Sequence, residues 1–151
     1  MRLLSILFLI CLTSNFRAQT EDINWLTWDQ AIAKSKLDSV PKKIFIDFYT
    51  GWCGWCKRMD ATTFKDRNVV DYMNTNYYAV KFDAETSDTI IFNGTTFINS
   101  DPEFKKTSPN SRGKVHQIAY SILDGKLSYP SYAIMDEKQT RLMTYQGAKP
   151  V

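Results

Sequence analysis

The segment Lys43-Ile-Phe-Ile-Asp-Phe-Tyr49, which runs after three residues into Cys53-Gly54-Trp55-Cys56, constrains this chain more than any other feature. Its apolar side chains fall on both alternating faces, as in a strand buried in mid-sheet. Two cysteines three apart at the start of a helix lie close enough to bond each other. A helix beginning there leaves Cys53 among the unpaired N–H groups of the first turn, which favour its thiolate. The thiolate is the attacking species in disulfide exchange. Cys56, one turn deeper and screened from solvent, can resolve the mixed disulfide, so Cys53 alone of the pair is expected to meet solvent.

Cysteine count narrows the chemistry further. The chain holds three cysteines, and Cys11 lies in an N-terminal apolar run. A zinc site built on the other two would need two more ligands, and His116 is the one histidine. A structural disulfide closing so short a loop would restrain little of the unfolded chain. The pair therefore reads as redox chemistry.

Arg2, the apolar run Leu3 to Leu12 and a small residue at Ala18 form a secretory signal peptide over residues 1–18, with cleavage before Gln19. The run is about half of the roughly 20 residues that span a bilayer, so stable membrane insertion is not expected. Ile10 stands before Cys11 where a lipidation signal wants a small residue. The expected mature domain is residues 19–151, periplasmic or secreted. Cleavage removes Arg2 and Arg17 from a net charge of +3 and leaves +1. The remaining basic residues are scattered pairs (Lys42 with Lys43, Lys57 with Arg58, Lys105 with Lys106), so neither nucleic acid nor an anionic membrane surface is indicated. A hydrophobic fraction of 44% in 151 residues is ample for one globular core.

The order of elements is α/β. Thr27 with Gln30 forms a capping box opening a helix to about Leu37. Strand 43–49 is followed by helix 53–64, a further helical turn from Asp66 to about Asn74, and strand 77–83. Asn93-Gly94 between β-formers predicts a hairpin over residues 90–98. Residues 99–112 are polar and read as loop. Val115, Ile118, Ala119, Ile122 and Leu123 recur at helical spacing, with Gly125 as C-cap. Two strands, 132–135 and 141–145, close the chain around a turn at 136–139.

The sequence resembles the thioredoxin superfamily from about Trp25 to Gly147. The likeness rests on Ile46-Asp47-Phe48-Tyr49 leading into Trp52-Cys53-x-x-Cys56-Lys57, on Tyr129-Pro130-Ser131-Tyr132, and on Gly147. Within that superfamily it is similar to secreted bacterial thioredoxin-like proteins and to the C-terminal domain of the disulfide reductase DsbD. The resemblance implies a thioredoxin fold, a central mixed β-sheet flanked by helices; the chain departs from the family pattern in residues 85–128, an insert longer than the usual connection, with the hairpin at 90–98 as the extra piece before the strand that opens on a cis proline. It places that cis proline at Pro130, where the backbone of Tyr129 would meet a substrate chain. Asp47, the polar residue of its strand, is assigned as the base for Cys56; burial would raise its pKa. The bland reading of Asp47 is an aspartate at a solvated strand edge.

Trp52 and Trp55 flank the pair, as a substrate platform or as cover for the helix start. His116 reads as a solvated or packing histidine. The superfamily normally ends in a helix after the last strand, whereas this chain stops at Val151; Tyr145 and its apolar neighbours are then expected to be partly exposed.

Two functions fit these residues. The first is a thiol-disulfide oxidoreductase acting on exported proteins, reducing rather than oxidising, because Gly54 and Trp55 add no charge to Cys53. It needs no cofactor, and its partners are exported clients and a redox partner protein of unknown identity. The second is a Cu(I)-binding module using the same two thiolates, with Met59 as the nearby soft ligand. Mass spectrometry of the exported fraction should find a chain beginning near Gln19. A chain that retains Met1, or carries lipid on Cys11, would overturn the leader assignment.

Overall fold

In a computed structural model, which describes residues 22–107 and 112–149, the pattern of the central strand is realised as expected. The expected leader, with Cys11 and Gln19, lies outside the described residues. Strand β1 (Trp25–Leu26) precedes α1 (Trp28–Leu37), whose capping box forms as the sequence indicates: Gln30 N–H donates to the Thr27 hydroxyl and the Gln30 side chain accepts from Thr27 N–H. Then follow β2 (Lys43–Tyr49), α2 (Gly54–Ala61) and a 3-10 turn (Thr63–Lys65). The helix expected over 53–64 thus ends early, and its last residues tighten into that turn. Helix α3 (Arg67–Asn76) is capped by the Asp66 carboxylate, which accepts from Asn68 and Val69 N–H. It runs directly into β3 (Tyr77–Asp83).

The hairpin forms as β4 (Ile90–Phe92) and β5 (Thr95–Phe97). Its central residues Asn93 and Gly94 have φ of 49° and 77°, the positive values that a two-residue turn of the primed type requires. The stretch expected to be loop contains a short helix, α4 (Pro102–Thr107). Helix α5 (Gln117–Ile122) leads through Gly125 (φ 70°) to β6 (Ser131–Met135) and β7 (Arg141–Gln146).

The sheet order is β1-β3-β2-β6-β7. Strands β1, β3 and β2 are parallel, β6 is antiparallel to β2, and β7 is antiparallel to β6. One face is covered by α1 and α5, through Trp28, Ala31, Ile118, Ala119 and Ile122 packed on Ile44, Ile46, Phe48, Val80 and Phe82. The other carries α2, the 3-10 turn and α3, through Met59, Phe64, Val70 and Met73 with Tyr132 and Ile23. On that second face a 320 Å³ apolar hollow lies between Met59, Met73, Tyr132, Ile134 and Tyr145, and Leu142, Met143 and Tyr145 of β7 are exposed. The segment between β3 and β6 packs its α5 on the opposite face and leaves this one open.

That segment is tied down by Asn99. Its buried amide nitrogen donates to the carbonyls of Glu85, Thr86 and Lys114, closing the inserted loop on itself. His116 N–H donates to Ala84 O, and the imidazole is buried as the N-cap of α5. Its Nδ1 accepts from Ile118 N–H and its Nε2 lies 2.9 Å from Asp88 O, which makes it the protonated nitrogen of a neutral ring. Burial pushes its pKa below the usual value. Of the two readings open for this histidine, the structure places it in the packed interior. Among the described residues no helix is long and apolar enough to cross a membrane.

Candidate functional site

The register of β2 decides where the chemistry lies. Phe48 pairs with Ser131 in antiparallel sense and with Phe82 in parallel sense. The end of β2, the end of β3 and the start of β6 therefore meet at one edge of the sheet. From the end of β2, Cys53 N–H turns back to donate to Thr50 O, and α2 begins. At the start of β6 the Tyr129–Pro130 peptide is cis, and Pro130 O accepts from Gly147 N–H. From the end of β3, Ala84 N–H donates to Tyr49 O and the chain enters the insert at Glu85.

Cys53 is the N-cap of α2, and its Sγ accepts from Cys56 N–H at 3.0 Å, so one N–H of the first helical turn faces this sulfur. Cys53 and Cys56 are joined as a disulfide with their Cα atoms 5.3 Å apart. Exposure departs from expectation. Cys53 is 4% exposed and Cys56 2%, so in the disulfide form both sulfurs are screened. Trp52 is half-buried, with its ring edge-on to Tyr129 at 6.0 Å between centroids, whereas Trp55 on the helix is 56% exposed. Trp52 and Tyr129 thus share one wall, while Trp55 stands out into solvent.

Asp47 lies below this rim, 1% exposed. Opposite it in register is Lys81, whose Nζ donates to Asp47 Oδ2 at 2.6 Å and also to Asp60 Oδ1 on α2. Three rings surround the ammonium, with the centroids of Trp25, Tyr49 and Phe64 at 4.9, 5.2 and 5.3 Å. Desolvation is the larger influence on Asp47 and the Lys81 charge opposes it, so the carboxyl pKa rises from 3.8 to about 6. Its Oδ1 has no hydrogen-bond partner among the described residues. The solvated strand-edge reading of Asp47 is thereby set aside.

Further residues enter that sequence reasoning passed over. Lys81 carries a faint signal, a lysine in mid-strand directly opposite the aspartate. Glu85 carries none: it sits in a loop, yet it is 2% exposed and its Oε1 accepts from Trp52 Nε1–H at 3.0 Å. Arg112 places its guanidinium 4.5 Å from the Trp52 ring centroid, and Arg58 lies 5.3 Å from that of Trp55. Met59, the expected soft ligand, is a core residue whose sulfur accepts from the Thr63 hydroxyl. Among the described residues no group of three or more histidine, cysteine or acidic side chains is placed to hold a metal ion.

Residues 9–99 match the family model described as Thioredox_DsbH, protein of unknown function, DUF255. No curated protein matches the sequence significantly. Among solved structures, a DsbH oxidoreductase is similar over 89% of this chain and 80% of its own, at 18% identity and a TM-score of 0.55. A proposed disulphide-isomerase from Bacteroides thetaiotaomicron is similar over 89% and 88%, at 24% identity and a TM-score of 0.54. The oxidised C-terminal domain of Neisseria meningitidis DsbD covers 82% and 81%, at 15% identity and a TM-score of 0.45. The first two of these likenesses agree with the architecture above, a mixed sheet with helices on both faces.

The raised pKa of Asp47 has a consequence for stability. Unfolded, the group titrates near 3.8; folded, near 6. Between those values the folded chain holds a proton that the unfolded chain has released, so stability falls as pH rises through this window. Asp47→Asn removes the burden and leaves Lys81 its bond to Asp60. The variant should be more stable than the parent at neutral pH by on the order of 1–3 kcal/mol, with the gap closing below about pH 4. Urea unfolding across that range checks the sign; a variant less stable at neutral pH would refute it.

Proposed function

For a chain that belongs to the Thioredox_DsbH (DUF255) family and to the thioredoxin superfamily, we propose thiol-disulfide exchange on exported proteins, in the reducing direction, as the function. The observation that carries this reading is the Cys53–Cys56 pair at the head of α2, with Cys53 as N-cap. In the reduced protein the Cys53 thiolate attacks one sulfur of a client disulfide. A Cys53–client bond forms, the client bond breaks, and the second client sulfur leaves as a thiolate that takes up a proton. Cys56 then passes its proton towards Asp47 and attacks Cys53 Sγ, closing the pair and releasing the first client sulfur. The client gains two electrons and two protons, and a redox partner protein must restore them to the pair.

Asp47 suits the second step on three grounds: it is buried, one oxygen has no partner, and a pKa of about 6 leaves it ionised but basic near neutrality. Pro130 and the backbone of Tyr129 offer an extended client segment an edge to pair with, next to Trp52. Trp55, more exposed, gives the platform on the other side of the pair. Residues 1–18 act in this reading as the leader that takes residues 19–151 to the periplasm or beyond the cell.

Cys56→Ser should accumulate mixed disulfides with client proteins, resolved by non-reducing gels and mass spectrometry, while Cys53→Ser accumulates none. Equal trapping by both variants would remove the assignment of attacker and resolver, and trapping by neither would remove the function.

A further inference from the structure

Both tryptophans flanking the disulfide carry an arginine on the ring. Arg58, one turn along α2, lies over the Trp55 ring, and Arg112 crosses from the insert to lie over Trp52. Both guanidiniums are exposed, and neither has a carboxylate partner among the described residues. Lys57 and Lys114, each next to this rim in sequence, are exposed as well. The nearby acids are turned to other uses. Glu85 is buried and holds the Trp52 indole, Asp60 is bound to Lys81, and Asp83 and Asp88 line a separate 460 Å³ pocket with Asp29. The exposed charges over the two rings are therefore those of Arg58 and Arg112, while Glu85 and Asp83, which both act on Tyr129, place negative charge deeper in the same wall.

Placement over a ring matters to what these guanidiniums can do. A guanidinium held over an indole by cation–π attraction keeps N–H donors with which to meet a carboxylate. Little side-chain freedom is left to lose when an anion arrives. The Trp52 indole under Arg112 is itself pinned by Glu85, so this half of the rim is held by two contacts from the insert.

We propose that the Arg58–Trp55 and Arg112–Trp52 pairs form a docking surface for acidic client segments, in which carboxylates flank the cysteine that exchanges with Cys53. The proposal rests on the thiol-disulfide reading above and adds to it the chemistry of the preferred client. Charge of this kind acts mainly on the rate of encounter and is screened by salt.

The test uses the Cys56→Ser variant and two otherwise identical peptides, with cysteine flanked by glutamates in one and by lysines in the other. Each peptide cysteine is a mixed disulfide with 2-thiopyridine. The Cys53 thiolate attacks the peptide sulfur, the new disulfide forms, and 2-thiopyridine leaves with a proton and is read by its absorbance. At low salt the acidic peptide should react about 10-fold faster or more. That ratio should fall to within about twofold of unity in molar salt, and likewise when Arg58→Gln and Arg112→Gln are added. The salt series needs no further variant, so it stands even where the added substitutions disturb folding. Equal capture of both peptides at low salt, or a preference that salt leaves intact, would overturn the acidic surface while leaving the exchange function standing. Capture of neither peptide would overturn both.

Discussion

Everything in the site follows from the double pairing of β2, parallel to β3 on one side and antiparallel to β6 on the other. Parallel pairing sends the chain from β2 through a helical crossover, which puts a helix N-terminus at the strand's C-terminal edge. Cys53 caps that helix, so the strand's exit fixes the sulfur against the first N–H groups. Antiparallel pairing with β6 brings the cis Tyr129–Pro130 bond to the same edge from the far end of the chain. A slip of one residue in either pairing would reverse the faces of β2 and take Asp47 away from α2.

Beneath the rim the structure holds a charge in an apolar place. A carboxylate among aromatic rings is costly to ionise, and the partner that offsets the cost, Lys81, is shared with Asp60 on α2. Sharing leaves Asp47 poised between protonation states rather than locked as an ion. The upper part of the site has its own buried acid, Glu85, used in a different way: it fixes the position of an indole and so of the wall beside Cys53. In the proposed function one acid takes up a proton, and the other shapes the wall. The insert that supplies Glu85 and Arg112 is closed on itself by Asn99 and joined to the end of β3 by His116 N–H on Ala84 O, so the rim depends on a segment outside the central sheet.

Much of this was legible in the residues. The capping box at Thr27, the Asn93-Gly94 turn and the two-faced apolarity of β2 are local signals, and each appears as expected. The cysteine pair and Asp47 could be read because each breaks the pattern of its own segment. Two-residue β1 is too short to show a period, and α4 lies in a polar stretch with no apolar face to reveal it. The burial of Cys53 was missed because a residue's burial is set by the whole fold and leaves no local pattern in the sequence. Glu85 and Arg112 were missed for the same reason: a loop acid and a loop arginine acquire meaning only when the insert folds over Trp52.

The central claim is that Cys53 and Cys56 form a reducing dithiol. Gly54 and Trp55 between them carry no charge, and the exposed guanidiniums of Arg58 and Arg112 are screened by solvent, which leaves the helix terminus as the main support of the Cys53 thiolate. A thiolate with modest support makes a disulfide that is hard to reduce. The most direct measurement is the equilibrium reduction potential of the pair, taken against a dithiothreitol or glutathione series. The account predicts roughly −200 mV or below, towards the value of about −270 mV for thioredoxin, whereas a potential near about −120 mV, that of a strong oxidase, would contradict it.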